Sequence, residues 1–134
     1  MTFKYAAAVK AAKLDATGLN AYIGASALLR IYDGVQPANP DTPLGGQVKA
    51  LEFVCNAAGF GTVSGGLLTA RAIANATGLA NTTVTWARLF KSDGITPIFD
   101  CAVATSGPEI ILSNTTIVIA APYSFLSLTI TGGN

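Results

Sequence analysis

The last thirty-one residues of the chain, 104–134, alternate aliphatic with hydroxyl side chains. From Phe125 to Thr131, leucine or isoleucine takes turns with serine or threonine. A period of two predicts a β-strand with one buried face. The strand is expected to turn one set of residues to the core and another set away from it. The first set is Leu126, Leu128 and Ile130; the second is Tyr123, Phe125, Ser127, Thr129 and Thr131.

The N-terminal segment has a different period. Apolar residues recur there at spacings of three and four, which predicts an amphipathic helix. These residues are Tyr5, Val9, Ala12, Ala16, Leu19 and Ile23. Gly24 is a suitable stop for this helix, and the residues before Tyr5 are expected to form a loose arm. Residues 1–26 are therefore interpreted as an arm and a helix.

From Ala27 onward the pattern is one of short strands separated by turn residues. The runs are 27–32, 47–55, 62–74, 82–90, 95–104, 109–120 and 123–131. Residues 35–46 hold three prolines and are expected to form an exposed loop. Such spacing predicts a mainly β fold: a single antiparallel β-sandwich or jelly-roll-like domain of about seven to eight strands over residues 27–134. The N-terminal helix would cover an open side or end of it.

Composition supports one ordered domain. The chain has 134 residues, of which 51% are hydrophobic and 11% are charged; about 25% charged is usual. A net charge of +1 argues against nucleic acid as a partner, because nucleic acid requires a concentrated basic surface. No apolar run is long enough for a membrane-spanning helix, and the lysines near the N-terminus interrupt any signal-peptide core.

The few charges are unevenly distributed. Residues 104–134 contain one charged side chain, Glu109, so the face opposite the core carries hydroxyls where lysine and glutamate are usual. Coverage by another protein is the simplest explanation of a surface that is polar and yet uncharged.

No catalytic or metal-binding motif is present in the sequence. The chain has no histidine, which excludes serine–histidine and cysteine–histidine catalysis and imidazole metal sites. Cys55 and Cys101 are too few for a zinc site and are expected to be small buried residues. We expect no enzyme activity, cofactor or metal. A carboxylate pair acting in glycoside hydrolysis, with Asp100 and Glu109 as the residues to test, is the remaining enzymatic alternative.

Four aromatic residues could in principle stack on a sugar: Tyr22, Tyr32, Trp86 and Tyr123. Aromatic residues in a chain of this composition are more often core or interface residues. A carbohydrate-binding module would need them exposed and coplanar.

Several segments of strand and turn residues carry a resemblance. They are Leu28-Leu29-Arg30-Ile31-Tyr32-Asp33-Gly34 with Gln36-Pro37-Ala38, Phe60-Gly61 with Gly65-Gly66 and Leu68-Thr69, Thr85-Trp86-Ala87-Arg88-Leu89-Phe90, Ser92-Asp93-Gly94, Thr105-Ser106-Gly107, and Leu128-Thr129-Ile130-Thr131 with Gly133-Asn134. Together they resemble small virion structural proteins of tailed bacteriophages and prophages. The resemblance covers nearly the whole chain from Ala27 onward.

The resemblance implies a virion component assembled in the bacterial host cytoplasm, and it supplies no catalytic residues. A capsid decoration or cement protein is the favoured function, with itself (as a homotrimer) and the major capsid protein or other virion proteins as partners. A tail, neck or baseplate protein and a carbohydrate-binding adhesion module are the alternatives. We expect subunit contacts at Phe3, Lys4 and Tyr5 in the arm and at Tyr123 and Phe125 in the hydroxyl-bearing strand.

Overall fold

The computed structural model describes residues 4–6, 18–64, 67–106 and 110–131. This part of the chain contains one short helix, α1 (Gly18–Ile23), and thirteen strands. The strands are β1 (Lys4–Tyr5), β2 (Leu28–Tyr32), β3 (Lys49–Val54), β4 (Gly61–Ser64), β5 (Leu67–Ala70), β6 (Ala76–Thr77), β7 (Thr82–Thr83), β8 (Trp86–Phe90), β9 (Pro97–Ala104), β10 (Ile110–Leu112), β11 (Thr116–Ile117), β12 (Pro122–Tyr123) and β13 (Phe125–Thr131). The prediction of a mainly β fold is confirmed.

One mixed sheet dominates the structure. Its strand order is β3-β2-β8-β9-β10-β13-β5-β4, and β1 pairs with β9 beside this path. Two pairs of short strands, β7 with β11 and β6 with β12, lie outside it. The antiparallel prediction is wrong for one pair of the described strands, because β9 and β10 run parallel. β1 pairs with Phe99 and Asp100, and β10 pairs with the end of the same long strand, at Val103 and Ala104.

The sheet curls on itself around a single core. The rings of Phe53 in β3 and Phe125 in β13 lie 5.8 Å apart edge to face, although these strands are five places apart in the sheet. Buried residues from both ends of the sheet, such as Leu29, Leu112 and Leu128, belong to one cluster. Burial of this apolar surface is the main stabilising contribution. The sandwich or jelly-roll arrangement itself stays a prediction.

Two parts of the sheet differ in chemistry. The charged half comprises β1, β2, β3, β8 and β9, and each of these strands contains a charged residue. The uncharged half comprises β4, β5, β10 and β13, and none of these strands contains one. The parallel pair β9–β10 is where the two halves meet.

The facing predicted for β13 is wrong in part. Leu128 is buried as expected, but Leu126 is 58% exposed, and Phe125 packs against the core. The cause is an irregularity in the pairing with β10, where Ile111 pairs with Ser127 and Leu112 with Phe125. Such a bulge skips one residue, here Leu126, and reverses the alternation beyond it. The side chains of residues 129–131 lie outside the described ones.

The N-terminal prediction is met only in part. Helix α1 begins at Gly18, and Ile23 in its last turn is buried; Val9, Ala12 and Ala16 lie outside the described residues. The expected loose arm already has strand structure at Lys4 and Tyr5, because their backbone pairs with β9, and the Ala6 N–H donates to the Ile98 carbonyl at 2.9 Å.

A side chain from α1 satisfies the backbone at the end of the sheet. The Asn20 amide donates to the Gly61 carbonyl at 3.1 Å and accepts from the Gly61 N–H at 3.2 Å. β4 is an edge strand of the sheet, and the Asn20 amide binds the two backbone groups of Gly61 that a further strand would otherwise bind. Gly61 is required here, because a Cβ atom would lie 2.2 Å from the Thr69 carbonyl oxygen.

Candidate functional site

A row of charged residues crosses the outer face of the charged half. In the strand registers Glu52 of β3 pairs with Arg30 of β2, Arg30 with Arg88 of β8, Arg88 with Asp100 of β9, and Asp100 with Lys4 of β1. Five adjacent strands thus carry a charged residue at one level. Directly opposed like charges are unfavourable in a sheet, so Arg30 and Arg88 each need an acid on the other side. Glu52 and Asp100 supply those acids.

One end of the row is open to solvent. Arg30 Nε donates to Glu52 Oε2 at 2.6 Å, and its Nη1 donates to the Gly94 carbonyl at 3.0 Å. The guanidinium lies 4.7 Å from the centre of the Phe90 ring, a favourable cation–π contact. The hydrogen bond from Arg30 is the main reason that the pKa of Glu52 lies below its ordinary value.

The other end of the row is covered by the loop that precedes β3. Arg88 binds Asp100 through two hydrogen bonds, Nε to Oδ1 at 2.7 Å and Nη2 to Oδ2 at 3.0 Å. Its Nη1 also donates to the Thr42 carbonyl at 3.0 Å, which fastens the proline-rich loop to the sheet. The Arg88 and Asp100 side chains are 5% and 0% exposed, against 22% and 29% for Arg30 and Glu52. Burial raises the pKa of Asp100, and Arg88 opposes this rise.

The start of the same loop is fixed by Asp33. The carboxylate accepts from the Thr82 hydroxyl at 2.6 Å and from the Val48 N–H at 2.7 Å, and these bonds lower its pKa. The backbone carbonyl of Asp33 accepts from the indole of Trp86 at 2.9 Å. Trp86 in turn stacks on Tyr32, with 4.8 Å between the ring centres. The loop is therefore held at both its start and its middle.

A groove of about 400 Å³ lies beside the open end of the row. Glu52 and Val54 of β3 form one wall, and residues 74–77 with Leu79 form the other. The second wall is joined to β3 by a hydrogen bond from the Leu79 N–H to the Ala50 carbonyl at 2.8 Å. Val54 and Leu79 are both exposed, so this Val54 groove has an aliphatic side chain on each wall, and its polar lining residues are Glu52, Asn75 and Thr77.

Four of the described carboxylates are engaged in hydrogen bonds within the protein. Asp33, Glu52, Asp93 and Asp100 each accept hydrogen bonds from the protein itself. Among the described residues no group of three or more acidic or cysteine side chains could hold a metal ion. Cys55 and Cys101 are buried thiols, as expected, and burial raises the pKa of Cys55 to about 12. The absence of enzyme activity remains a prediction; Glu109, named for its test, lies outside the described residues.

The interface residues proposed from the sequence belong to two parts of the chain, the N-terminal segment and strands β12 and β13. Phe3 lies outside the described residues, and Lys4 and Tyr5 form β1, within the sheet of their own chain. Tyr123 is buried, with its hydroxyl donating to the Thr116 carbonyl at 3.1 Å and accepting from the Val118 N–H at 2.7 Å. The outward positions assigned to Tyr123 and Phe125 are thus wrong, because a break at Ser124 separates β12 from β13 and the bulge follows it.

Sequence reasoning missed the charged row. Its signal was a charged residue inside each apolar strand, as in Leu-Leu-Arg-Ile-Tyr at 28–32 and Trp-Ala-Arg-Leu-Phe at 86–90. Arginine and aspartate are almost never fully buried unless paired, so such residues in separate strands predict mutual contact. The sequence could have suggested the pairing of Arg88 with a carboxylate, although not which one.

No protein-family model matches the chain, and no curated protein and no solved structure matches it either. The described helix is too short to cross a membrane.

Proposed function

We propose that the protein is a structural component of a virion, and within that class a capsid decoration or cement protein that stabilises the major capsid lattice. Its partners in this proposal are further copies of itself, as a homotrimer, and the major capsid protein or other virion proteins. The sequence resemblance to virion proteins of tailed phages and prophages motivates the assignment. The proposal includes a two-layered, sandwich-like packing of the curled sheet.

The observation that carries the proposal is an exposed part of the surface that has no charge. Arg30 pairs with Glu52 and Arg88 pairs with Asp100 in the charged half, whereas the segment 110–131 has no charged residue. That segment nevertheless exposes the aliphatic side chains of Val118, Ile119 and Leu126. Exposed aliphatic groups among hydroxyls are typical of a surface that another protein covers. A protein fixed in a high-copy shell has such surfaces.

The adhesion alternative finds less support. Tyr32, Trp86 and Tyr123 are buried, and Tyr22, half-buried, has the Lys91 ammonium 3.8 Å from its ring centre. These four residues therefore do not form the exposed, coplanar set of rings that sugar stacking requires. A tail, neck or baseplate protein would share the same surface properties, and the experiment below separates it from a decoration protein.

Localisation within particles tests the proposal. The tagged chain is expressed during growth of the phage or induced prophage that encodes it, and heads and tails are separated and imaged by electron microscopy. We expect density at repeated positions of the icosahedral lattice and binding of the purified protein to expanded, mature capsids. Failure to bind such capsids together with co-purification with tails would instead establish the tail alternative, and absence from both would refute a virion role.

A further inference from the structure

A rigid turn next to the Val54 groove presents one large aliphatic side chain to solvent. The turn, residues 92–96, joins β8 to β9, and Ile95 at its tip is 78% exposed. We call it the Ile95 turn. Solvent exposure of a single aliphatic side chain is ordinary. Ile95 differs from other exposed aliphatic residues because the backbone of its turn is fixed by side-chain hydrogen bonds.

Asp93 organises the turn. Its Oδ1 accepts from the Ile95 N–H at 2.8 Å and from the Thr96 N–H at 3.0 Å, and its Oδ2 accepts from the Thr96 hydroxyl at 2.7 Å. Arg30 fixes the turn from outside through the Gly94 carbonyl. A side chain whose backbone is already ordered loses little conformational entropy on binding. Ile95 therefore has the properties of an anchor residue in an interface.

The turn and the groove are neighbours. Arg30 contacts both, through Glu52 in the groove and Gly94 in the turn. Leu28 also lies between them, since it pairs with Val54 across β2 and β3 and its Cδ1 approaches the Cβ position of Gly94 to 3.4 Å. The two features thus form one continuous area at the open end of the charged row.

Their charges are complementary. At the groove, Lys49 Nζ lies 3.6 Å from Glu52 Oε2 and Arg30 Nε lies 2.6 Å from the same oxygen, so two cations share one carboxylate and one positive charge is in excess. At the turn, Asp93 is an exposed anion at neutral pH, and the hydrogen bonds that it accepts from the Thr96 and Ile95 N–H groups lower its pKa further, to about 2. The aliphatic side chains of Val54 and Leu79 on its two walls suit an aliphatic partner, and the size of the groove lies in the range of roughly 300–1,000 Å³ that is usual for binding pockets.

We infer that Ile95 of one copy binds in the Val54 groove of a second copy, with Asp93 beside the excess positive charge of Arg30 and Lys49. This inference builds on the self-association included in the proposed function. The contact joins two different surface features, and when it repeats head to tail with a rotation that closes, it forms a ring such as the proposed trimer.

Light scattering after size-exclusion chromatography of purified protein tests the contact. Ile95→Lys removes the anchor, and we expect it to weaken self-association by about 30-fold or more, the effect of losing an interface hot spot. Val54→Lys is expected to do the same by filling the groove. Val35→Lys and Val48→Lys are the matched controls, because both replace exposed valines outside the turn and the groove; they should associate like the wild type.

Mixing the two monomeric variants provides the decisive measurement. Ile95→Lys keeps an intact groove and Val54→Lys keeps an intact Ile95, so an equimolar mixture is expected to form a two-copy complex that neither variant forms alone. A monomeric wild type, an Ile95→Lys variant with wild-type assembly, a control that dissociates as strongly, or a mixture that stays monomeric would each refute the inference. None of these outcomes depends on where the protein lies in a virion, which the electron microscopy decides separately.

Discussion

The charged half and the uncharged half of the sheet satisfy their polar groups in different ways. In the charged half, Arg88 and Asp100 are buried together beneath the loop that precedes β3 and are joined by two hydrogen bonds. In the uncharged half, the polar side chains are serines and threonines, and the buried positions of β10 and β13 are filled by aliphatic residues such as Leu112 and Leu128. A buried ion pair fixes which groups meet, whereas aliphatic packing is tolerant of partner identity. In the charged half the contact between strands therefore depends on the Arg88–Asp100 ion pair. In the uncharged half it depends on how well the aliphatic side chains fill the space between the strands.

The largest effect that this comparison predicts is at Asp100. The Asp100→Asn substitution leaves Arg88 buried without its counter-charge, and we expect the free energy of unfolding to fall by about 3–5 kcal/mol. Urea unfolding followed by tryptophan fluorescence measures it, since Trp86 lies next to Arg88.

The control is the double variant Arg88→Met/Asp100→Leu, which removes both charges and should cost much less than Asp100→Asn, because replacing a buried pair by apolar residues is often neutral. A fall in the free energy of unfolding of less than about 1 kcal/mol for Asp100→Asn is the value typical of an exposed ion pair. It would show that the charged half does not depend on a buried ion pair.

A smaller but still large effect is expected in the uncharged half. Leu128→Ala removes a fully buried side chain and should lower the free energy of unfolding by about 2–5 kcal/mol. Leu126→Ala, two residues away on the same strand, should change it by no more than about 0.5 kcal/mol, because Leu126 is exposed. Equal losses for the two variants would show that the strand alternates regularly and that the bulge is absent.

The smallest effect concerns the open ion pair. Glu52→Gln is expected to cost at most about 1 kcal/mol at neutral pH, since the pair is partly exposed. The folded-state pKa of Glu52 lies below its ordinary value of 4.5, so its contribution is complete above that value and is lost as the pH falls through the lower folded-state pKa.

Unfolding free energies measured from pH 7 downward should therefore decline less steeply below about pH 4.5 for Glu52→Gln than for the wild type. Identical slopes would mean that the hydrogen bond from Arg30 does not favour the ionised form of Glu52.

The periodicity of the sequence predicted the mainly β class of the fold, but it did not predict the bulge in β13 or the parallel pair β9–β10. Alternation identified β2, β3, β8, β9 and β13 and the burial of Leu128, because each strand has one face on the core. The exposure of Leu126 depends on a register irregularity with β10, which is a property of two strands together. The parallel pairing of β9 with β10 likewise reflects how the edge of β9 is shared with β1.

The candidate site was less predictable than the fold. A row made by Glu52, Arg30, Arg88 and Asp100 exists only once the order and register of four strands are known. The Val54 groove similarly depends on where residues 74–79 cross the edge of β3. The absence of catalytic motifs, in contrast, could be read from composition alone, because the chain has no histidine.

The amide of Asn20 at Gly61 also bears on how the chain is made. During synthesis the chain emerges from its N-terminus, so helix α1 leaves the ribosome about forty residues before β4. The Asn20 side chain has therefore already been synthesised when β4, the edge strand that it binds, leaves the ribosome. On a polysome, identical nascent chains lie close together. The Asn20 amide of each chain can bind Gly61 before a strand from a neighbouring chain pairs with it.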